Sequence, residues 1–158
     1  LYYCFIRPKE MSKIKLEHLS IKNRTIYIPE DISKNRTAGV ITLPKKVIHL
    51  MVDLSIFNNP SESYLFSKDF MPGLEYVNEK RFRDYWSREI RKKLHFPAYY
   101  QFYSLKYSGI TNLLRDTNID KLSVRDQARH SSILITDIYT PHDIQKANAL
   151  IEAHEDVF

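Results

Sequence analysis

Residues 129–140, RHSSILITDIYT, decide the reading of this chain. His130 stands beside two small hydroxyl residues, Ser131 and Ser132, and Tyr139 follows nine positions after the His. Such a pair is common by chance. It carries chemistry only if other segments supply cations and a scaffold that brings them to it.

The chain has 158 residues, enough for one domain with a sizeable core. It is 43% hydrophobic with only three Gly, which marks a globular rather than a disordered sequence. Most of its eleven Tyr and eight Phe are expected in or against the core. The formal net charge of +5 suits a polyanionic partner such as nucleic acid. The single cysteine, Cys4, lies in the apolar run LYYCFI and reads as a small buried hydrophobe. One cysteine excludes a disulfide framework and fits a reducing cytosol. No apolar run approaches the roughly 18 residues of a membrane span, and no charged-then-apolar leader opens the chain. The chain starts without Met inside an apolar segment, so it reads as a fragment lacking an N-terminal portion.

Pro8 favours a first helical turn, and apolar residues at 11, 14 and 16 predict a helix over about 8–16. HLSIKN, TIYIP and GVITLP are short β-rich runs separated by polar loops, which predicts a small antiparallel sheet. KKVIHLMVDLSIF predicts a helix with a wide buried face, and YLF a short strand, followed by the irregular SKDFMPG. Asn78 caps a helix over 79–94 with Phe82, Tyr85, Trp86, Ile90 and Leu94 towards one face. That helix carries seven basic and three acidic residues, and Arg81, Arg88, Arg91, Lys92 and Lys93 are candidates to face phosphates. A solvated helix face is the ordinary alternative. Further helices are expected around 103–116, 122–130 and 133–140. The last segment, 143–158, reads as an amphipathic helix or a tail. The class is α+β, mainly helical, with a three-stranded sheet near the N-terminus, in one domain over 1–158.

Four spaced elements resemble the catalytic domain of the tyrosine recombinases, the phage integrase family, notably integrases of integrative and conjugative elements. IRPKEM gives Arg7 and Glu10 of a first box. SKNRTAGVITLP gives Lys34 in the turn between the second and third strands. YSLKYSG stands where the family usually has His, any residue, Leu, Arg, and so aligns Tyr103 with the His and Lys106 with the Arg. RHSSILITDIY supplies His130 and Tyr139, with Arg129 where the family has Gly.

The resemblance implies site-specific DNA recombination through a 3′-phosphotyrosyl intermediate, with Tyr139 as nucleophile. A phenol titrates near pH 10 and must be activated by its surroundings. Arg7 would offer a planar fork of donors to the phosphate. Lys106 would deliver a point charge, His130 a hydrogen bond, Tyr103 a hydroxyl, and Lys34 the proton for the 5′ oxygen. Arg36, in the same turn, joins the five helix cations as a candidate DNA contact. No metal-ligand spacing or Gly-rich phosphate loop occurs, and no cofactor is expected. The implied partner is double-stranded DNA, bound as a homo-tetramer by a protein monomeric when free. The setting would be the bacterial cytoplasm and nucleoid, without membrane. The family's core-binding domain would precede this chain, and 143–158 would dock in trans. A degenerate DNA-binding module and a type IB topoisomerase-like relaxing enzyme are the alternatives.

Overall fold

The computed structural model describes residues 1–116 and 118–140. The expected helical chain with a three-stranded sheet is what forms. The sheet comprises β1 (Leu19–Ser20), β2 (Thr25–Ile28) and β3 (Gly39–Thr42), antiparallel in the order β1-β2-β3. Its register pairs Ile26 with Ile41 and Ile28 with Gly39. The period-two alternation then drives Ile26, Ile28 and Ile41 into the core while Tyr27 and Val40 face out. Residues 29–38 connect β2 to β3 and carry Lys34.

The helices are α1 (Pro8–Met11), α2 (Lys45–Asp53), α3 (Glu79–Tyr85), α4 (Arg91–Lys93), α5 (Ser104–Leu114), α6 (Lys121–Ala128) and α7 (Ile133–Asp137). The main core gathers sheet residues with Ile6, Met11, Ile14, Leu16, Leu65 and Phe82. A smaller cluster of Phe5, Ile110, Val124 and Ala128 joins α5 and α6 to the N-terminal segment. Gly109 makes that junction possible, because a Cβ there would collide with the carbonyl of Tyr2. Gln127 clips α6 to the sheet. Its side chain accepts from the Thr42 N–H at 2.8 Å and donates to the Thr42 carbonyl at 2.9 Å, as a neighbouring strand would.

Four local expectations are corrected. The first helix stops at Met11 instead of reaching 16. Ile14 and Leu16 are buried at a spacing of two, and their backbones bond to Leu65 and Ser63 instead of continuing a helix. Tyr64 accordingly forms isolated bridges to Lys15 and Gly73 in place of a full strand. The wide buried face of α2 is absent: Val47, Ile48 and Met51 pack on the core while Leu50, Val52 and Leu54 are exposed. The helix over 79–94 is capped by Asn78 as expected, with the Lys80 N–H donated to its side chain at 2.9 Å. It is interrupted, however, by a π-helical turn at Trp86–Ile90. Leu94 lies just past the last helical residue and is exposed. Tyr85 is exposed too, packed against Phe70 at the rim with ring centroids 5.0 Å apart. Phe82 and Trp86 carry the buried contacts, and the Trp86 indole N–H donates to the Tyr100 carbonyl at 2.9 Å. Cys4 is buried as read, and burial pushes its thiol up to about 11.

Candidate active site

The site is built around a buried carboxylate. Glu10 is 1% exposed, at the end of the first turn of α1. Its oxygens accept the Arg7 N–H at 3.1 Å, the Arg7 Nη1 at 3.2 Å and the Lys34 N–H at 3.0 Å. The Arg129 Nη1 lies 3.2 Å from its second oxygen. Desolvation would raise its pKa, but the backbone donors from Lys34 and Arg7, with the charges of Arg129 and Arg7, outweigh burial and lower it. A buried carboxylate with this many donors holds its neighbours in place. It orients Arg7, and it pins the β2–β3 connection so that the exposed Lys34 side chain stands at the site's edge.

Lys106 lies behind this corner. It projects from α5, is 1% exposed, and donates from Nζ to the Ala128 carbonyl at 3.4 Å. Burial, followed by the charge of Arg7, drops it to about 7, with Arg129 and Lys34 adding to the fall and Glu10 opposing it. Its ammonium is therefore a switchable charge near neutrality, set beneath the surface.

Residues 125–132 explain the quoted stretch. The His130 N–H donates to the Arg125 carbonyl at 3.1 Å and the Arg129 N–H to Asp126 at 3.0 Å, which closes α6 in a Schellman motif. The residue after the helix end must then adopt the left-handed conformation, and Arg129 does so with φ of 53°. Glycine is the ordinary solution at such a position. Ser132 next caps α7, its hydroxyl accepting from the Leu134 N–H at 3.2 Å. Turn and cap together hold His130 over α7. There its Nδ1 lies 3.0 Å from the hydroxyl of Thr136, which is fully buried. If that hydroxyl donates, the ring proton sits on Nε2. Burial first, then the charges of Lys106 and Arg7, lower His130 to about 4, so the ring is neutral at pH 7.

Tyr139 follows α7. Its ring stacks with His130 at a centroid distance of 5.5 Å and meets Tyr107 at 5.0 Å. The Thr111 hydroxyl donates to its carbonyl at 3.3 Å. Burial raises its phenol, Tyr103 and Tyr107 raise it further, and Arg7 opposes them. Arg7, Lys106, His130 and Tyr139 thus come together from separate elements. Tyr103 is exposed at the start of α5, beside the phenol.

A family model described as the phage integrase family matches residues 1–146. The chain belongs to the phage integrase family. Among relatives, the tyrosine recombinase XerC of Pseudomonas fluorescens is 25% identical over 154 residues, covering 96% of this chain and 49% of that protein. The chain therefore spans about half the length of the curated relative it matches. The crystal structure of XerA recombinase superposes with a TM-score of 0.69 at 17% identity, over 96% of this chain and 52% of the other. A Tn1549 transposon integrase in complex with a circular intermediate DNA gives 0.74 at 15% identity, over 96% and 55%. XerH site-specific recombinase bound to a palindromic difH substrate gives 0.69 at 19% identity, over 96% and 42%. These likenesses establish the integrase catalytic-domain fold.

The remaining sequence candidates make no hydrogen bond or ion pair with the corner among the described residues. Arg36 is exposed in the β2–β3 connection with φ of 50°. Arg81 lies over the Phe70 ring, 5.9 Å from its centroid. Arg91 donates to the Ala98 carbonyl at 2.8 Å, while Arg88, Lys92 and Lys93 are exposed. Among the described residues no hydrogen bond or ion pair joins these six to the His130–Tyr139 pair. Sequence reading gave no role to Arg129, Thr136 or Tyr107. Arg129 had a signal, an Arg where the family has Gly. Thr136 and Tyr107 had none. Among the described residues no group of three or more His, Cys, Asp or Glu is placed to hold a metal. No described helix is long and apolar enough to cross a membrane. The segment 143–158 lies outside the described residues.

Proposed function

We propose that the protein is a tyrosine-type site-specific recombinase that cuts and rejoins double-stranded DNA. The observation that carries this reading is the convergence of Arg7, His130 and Tyr139 around the buried Lys106. In the forward step the Tyr139 hydroxyl oxygen bonds to phosphorus and the bond to the 5′ oxygen breaks, leaving a 3′-phosphotyrosyl link. The phenolic proton passes to hydroxide from solvent, because the His130 Nδ1 faces the Thr136 hydroxyl and its Nε2–H is committed to the phosphate. There His130 donates a hydrogen bond to a non-bridging oxygen. Arg7 supplies the guanidinium fork, and each such preorganised donor is worth about 3–4 kcal/mol in the transition state. Lys106 adds positive charge from beneath, and an arriving phosphate raises its hold on its proton. Lys34 delivers the proton to the departing 5′ oxygen. Attack by a 5′ hydroxyl reverses every bond change, so no ATP is consumed.

The net charge of +5 and the exposed cations at 36, 81, 88, 92 and 93 support a duplex DNA partner. Assembly as a tetramer on DNA, with 143–158 docking on a neighbouring subunit, belongs to the same proposal. One observation favours a DNA-binding module that does not cut: Lys106 is 1% exposed and cannot touch a phosphate without moving. The two readings separate on one gel. The intact protein is incubated with nicked duplexes carrying the ends of its own element and run under denaturing conditions. A covalent protein–DNA band is expected. Tight duplex binding without any such band would assign the module instead.

A further inference from the structure

The strained residue at the end of α6 is a motif element that the proposed reaction leaves unused. Arg129 occupies the left-handed position of the Schellman turn, where a non-glycine residue costs about 1–2 kcal/mol. Its side chain is only 14% exposed and reaches two separate parts of the chain. One guanidinium nitrogen lies 3.2 Å from the second oxygen of Glu10. Another donates to the Ser33 hydroxyl at 2.6 Å, one residue before Lys34. Gly39 leaves room for this path, since a Cβ there would sit 3.2 Å from the Arg129 Nε. Arg7 and Arg129 thus grip opposite oxygens of one buried carboxylate.

We infer that Arg129 is a positioning residue, tying the Lys34-bearing loop and the Arg7–Glu10 pair to the turn that presents His130. This rests on the recombinase reading above. Three elements distant in sequence must hold fixed spacing around one phosphate, and without the Arg129 side chain only two of them are bonded together: the Lys34 N–H donates to the Glu10 carboxylate, and among the described residues no other hydrogen bond joins either to the turn at 129–130. The Arg129 side chain closes that gap. Glycine would fit the turn without strain, yet would leave the loop and the carboxylate unattached to it. Strain kept at one residue whose side chain bridges three parts of a site is the pattern expected of a functional constraint.

The test uses the intact protein and the variants Arg129→Gly and Arg129→Lys. Single-turnover cleavage of a nicked substrate is expected to fall about 10- to 100-fold for Gly, the scale of a small misplacement at a reacting centre, with duplex affinity kept. Lys reaches one partner at a time and is expected to fall between. A pH profile separates positioning from mere support. Lys106 is faced by Arg7 and Glu10, by Arg129 and His130 of the turn and by Lys34 of the loop. Removing the Arg129 charge raises the Lys106 pKa, so the loss of rate at alkaline pH is expected to move upward in the Gly variant. Hydrogen exchange at the Lys34 amide is expected to quicken about tenfold or more, whether or not the protein cuts. Parental cleavage in the Gly variant, or unchanged exchange at Lys34, would overturn the inference and leave the recombinase reading intact. A parent that never cuts an authentic end would overturn both.

Discussion

The imidazole of His130 stacks on the ring of Tyr139, with centroids 5.5 Å apart and planes 22° apart. Thr136 fixes the imidazole from the other side of the turn, 3.0 Å from Nδ1. The pair is thus set by α7 and its cap. His130→Ala is expected to slow cleavage by about 100- to 1000-fold, the scale of one lost donor, with duplex affinity unchanged. Its pH signature is specific. The folded pKa of about 4 lies below the ordinary 6.5, so the unfolded chain takes up a proton that the folded one refuses. Stability therefore falls as pH drops from 6.5 through 4, and His130→Asn should flatten thermal melting across that window. A variant that keeps the parental acid slope would place His130 in a solvated setting.

Lys106 offers a sharper contrast between stability and activity. Its folded pKa is about 7 against an ordinary 10.5. Below pH 7 both states are protonated and the full cost of burying the charge applies. As pH rises from 7 to 10.5 only the unfolded chain stays charged, and folding gains. Lys106→Met is expected to stabilise the fold by about 1–3 kcal/mol below pH 7, with the gain gone above 10.5. The same variant should cleave about two to three orders of magnitude more slowly, the loss of one charged donor. Melting curves across pH and single-turnover rates decide both halves. Unaltered cleavage would remove Lys106 from the site.

Gly109 sets the seat of α5. Gly109→Ala places a methyl group against the Tyr2 carbonyl and the Phe5 ring. Overpacking of this kind costs about 1–3 kcal/mol, so a lower denaturant midpoint with an unchanged slope is expected. No loss of stability would mean that the N-terminal segment does not pack there.

The sheet, the order of the elements and the His130–Tyr139 spacing were legible because each rests on local chemistry. Alternation fixes β2 and β3, and hydroxyl and Asn caps fix helix starts. The features that were missed depend on tertiary contacts. The segment after Met11 has apolar residues that fit a helix, and only the bonds to the backbone of 63–65 decide that Lys15 is extended and a 3-10 turn follows at Leu16–His18. The π-helical turn at Trp86–Ile90 leaves no mark in a 3.6-residue pattern, and Leu94 falls at the helix end, where it is exposed. Lys106 reads as a charge aimed at phosphate, yet the Ala128 carbonyl and the Arg7–Glu10–Arg129 group enclose it. Arg129 was visible as an oddity. Its reach to Glu10 and Ser33 spans more than ninety positions and could come only from the fold.

Duplex affinity should be steeply salt-dependent, because released counterions drive it. The cations Arg36, Arg88, Lys92 and Lys93 are exposed. Replacing Arg88, Lys92 and Lys93 by Gln is expected to lower the slope of log affinity against log salt by roughly one unit for each phosphate no longer neutralised. Titration of labelled duplex over a salt series measures it. A parental slope in the triple variant would put the DNA on another face.

The reaction proposed for this chain turns on the Tyr139 hydroxyl making the covalent bond to DNA. The direct measurement is trapping on a nicked suicide duplex, with the parent compared to Tyr139→Phe and the adducted peptide mapped by mass spectrometry. A phosphotyrosyl peptide containing Tyr139 is expected from the parent. No adduct is expected from the Phe variant, with duplex affinity within a few-fold. A covalent band from the Phe variant, or an adduct mapped to any other residue, would contradict the assignment of Tyr139 as nucleophile.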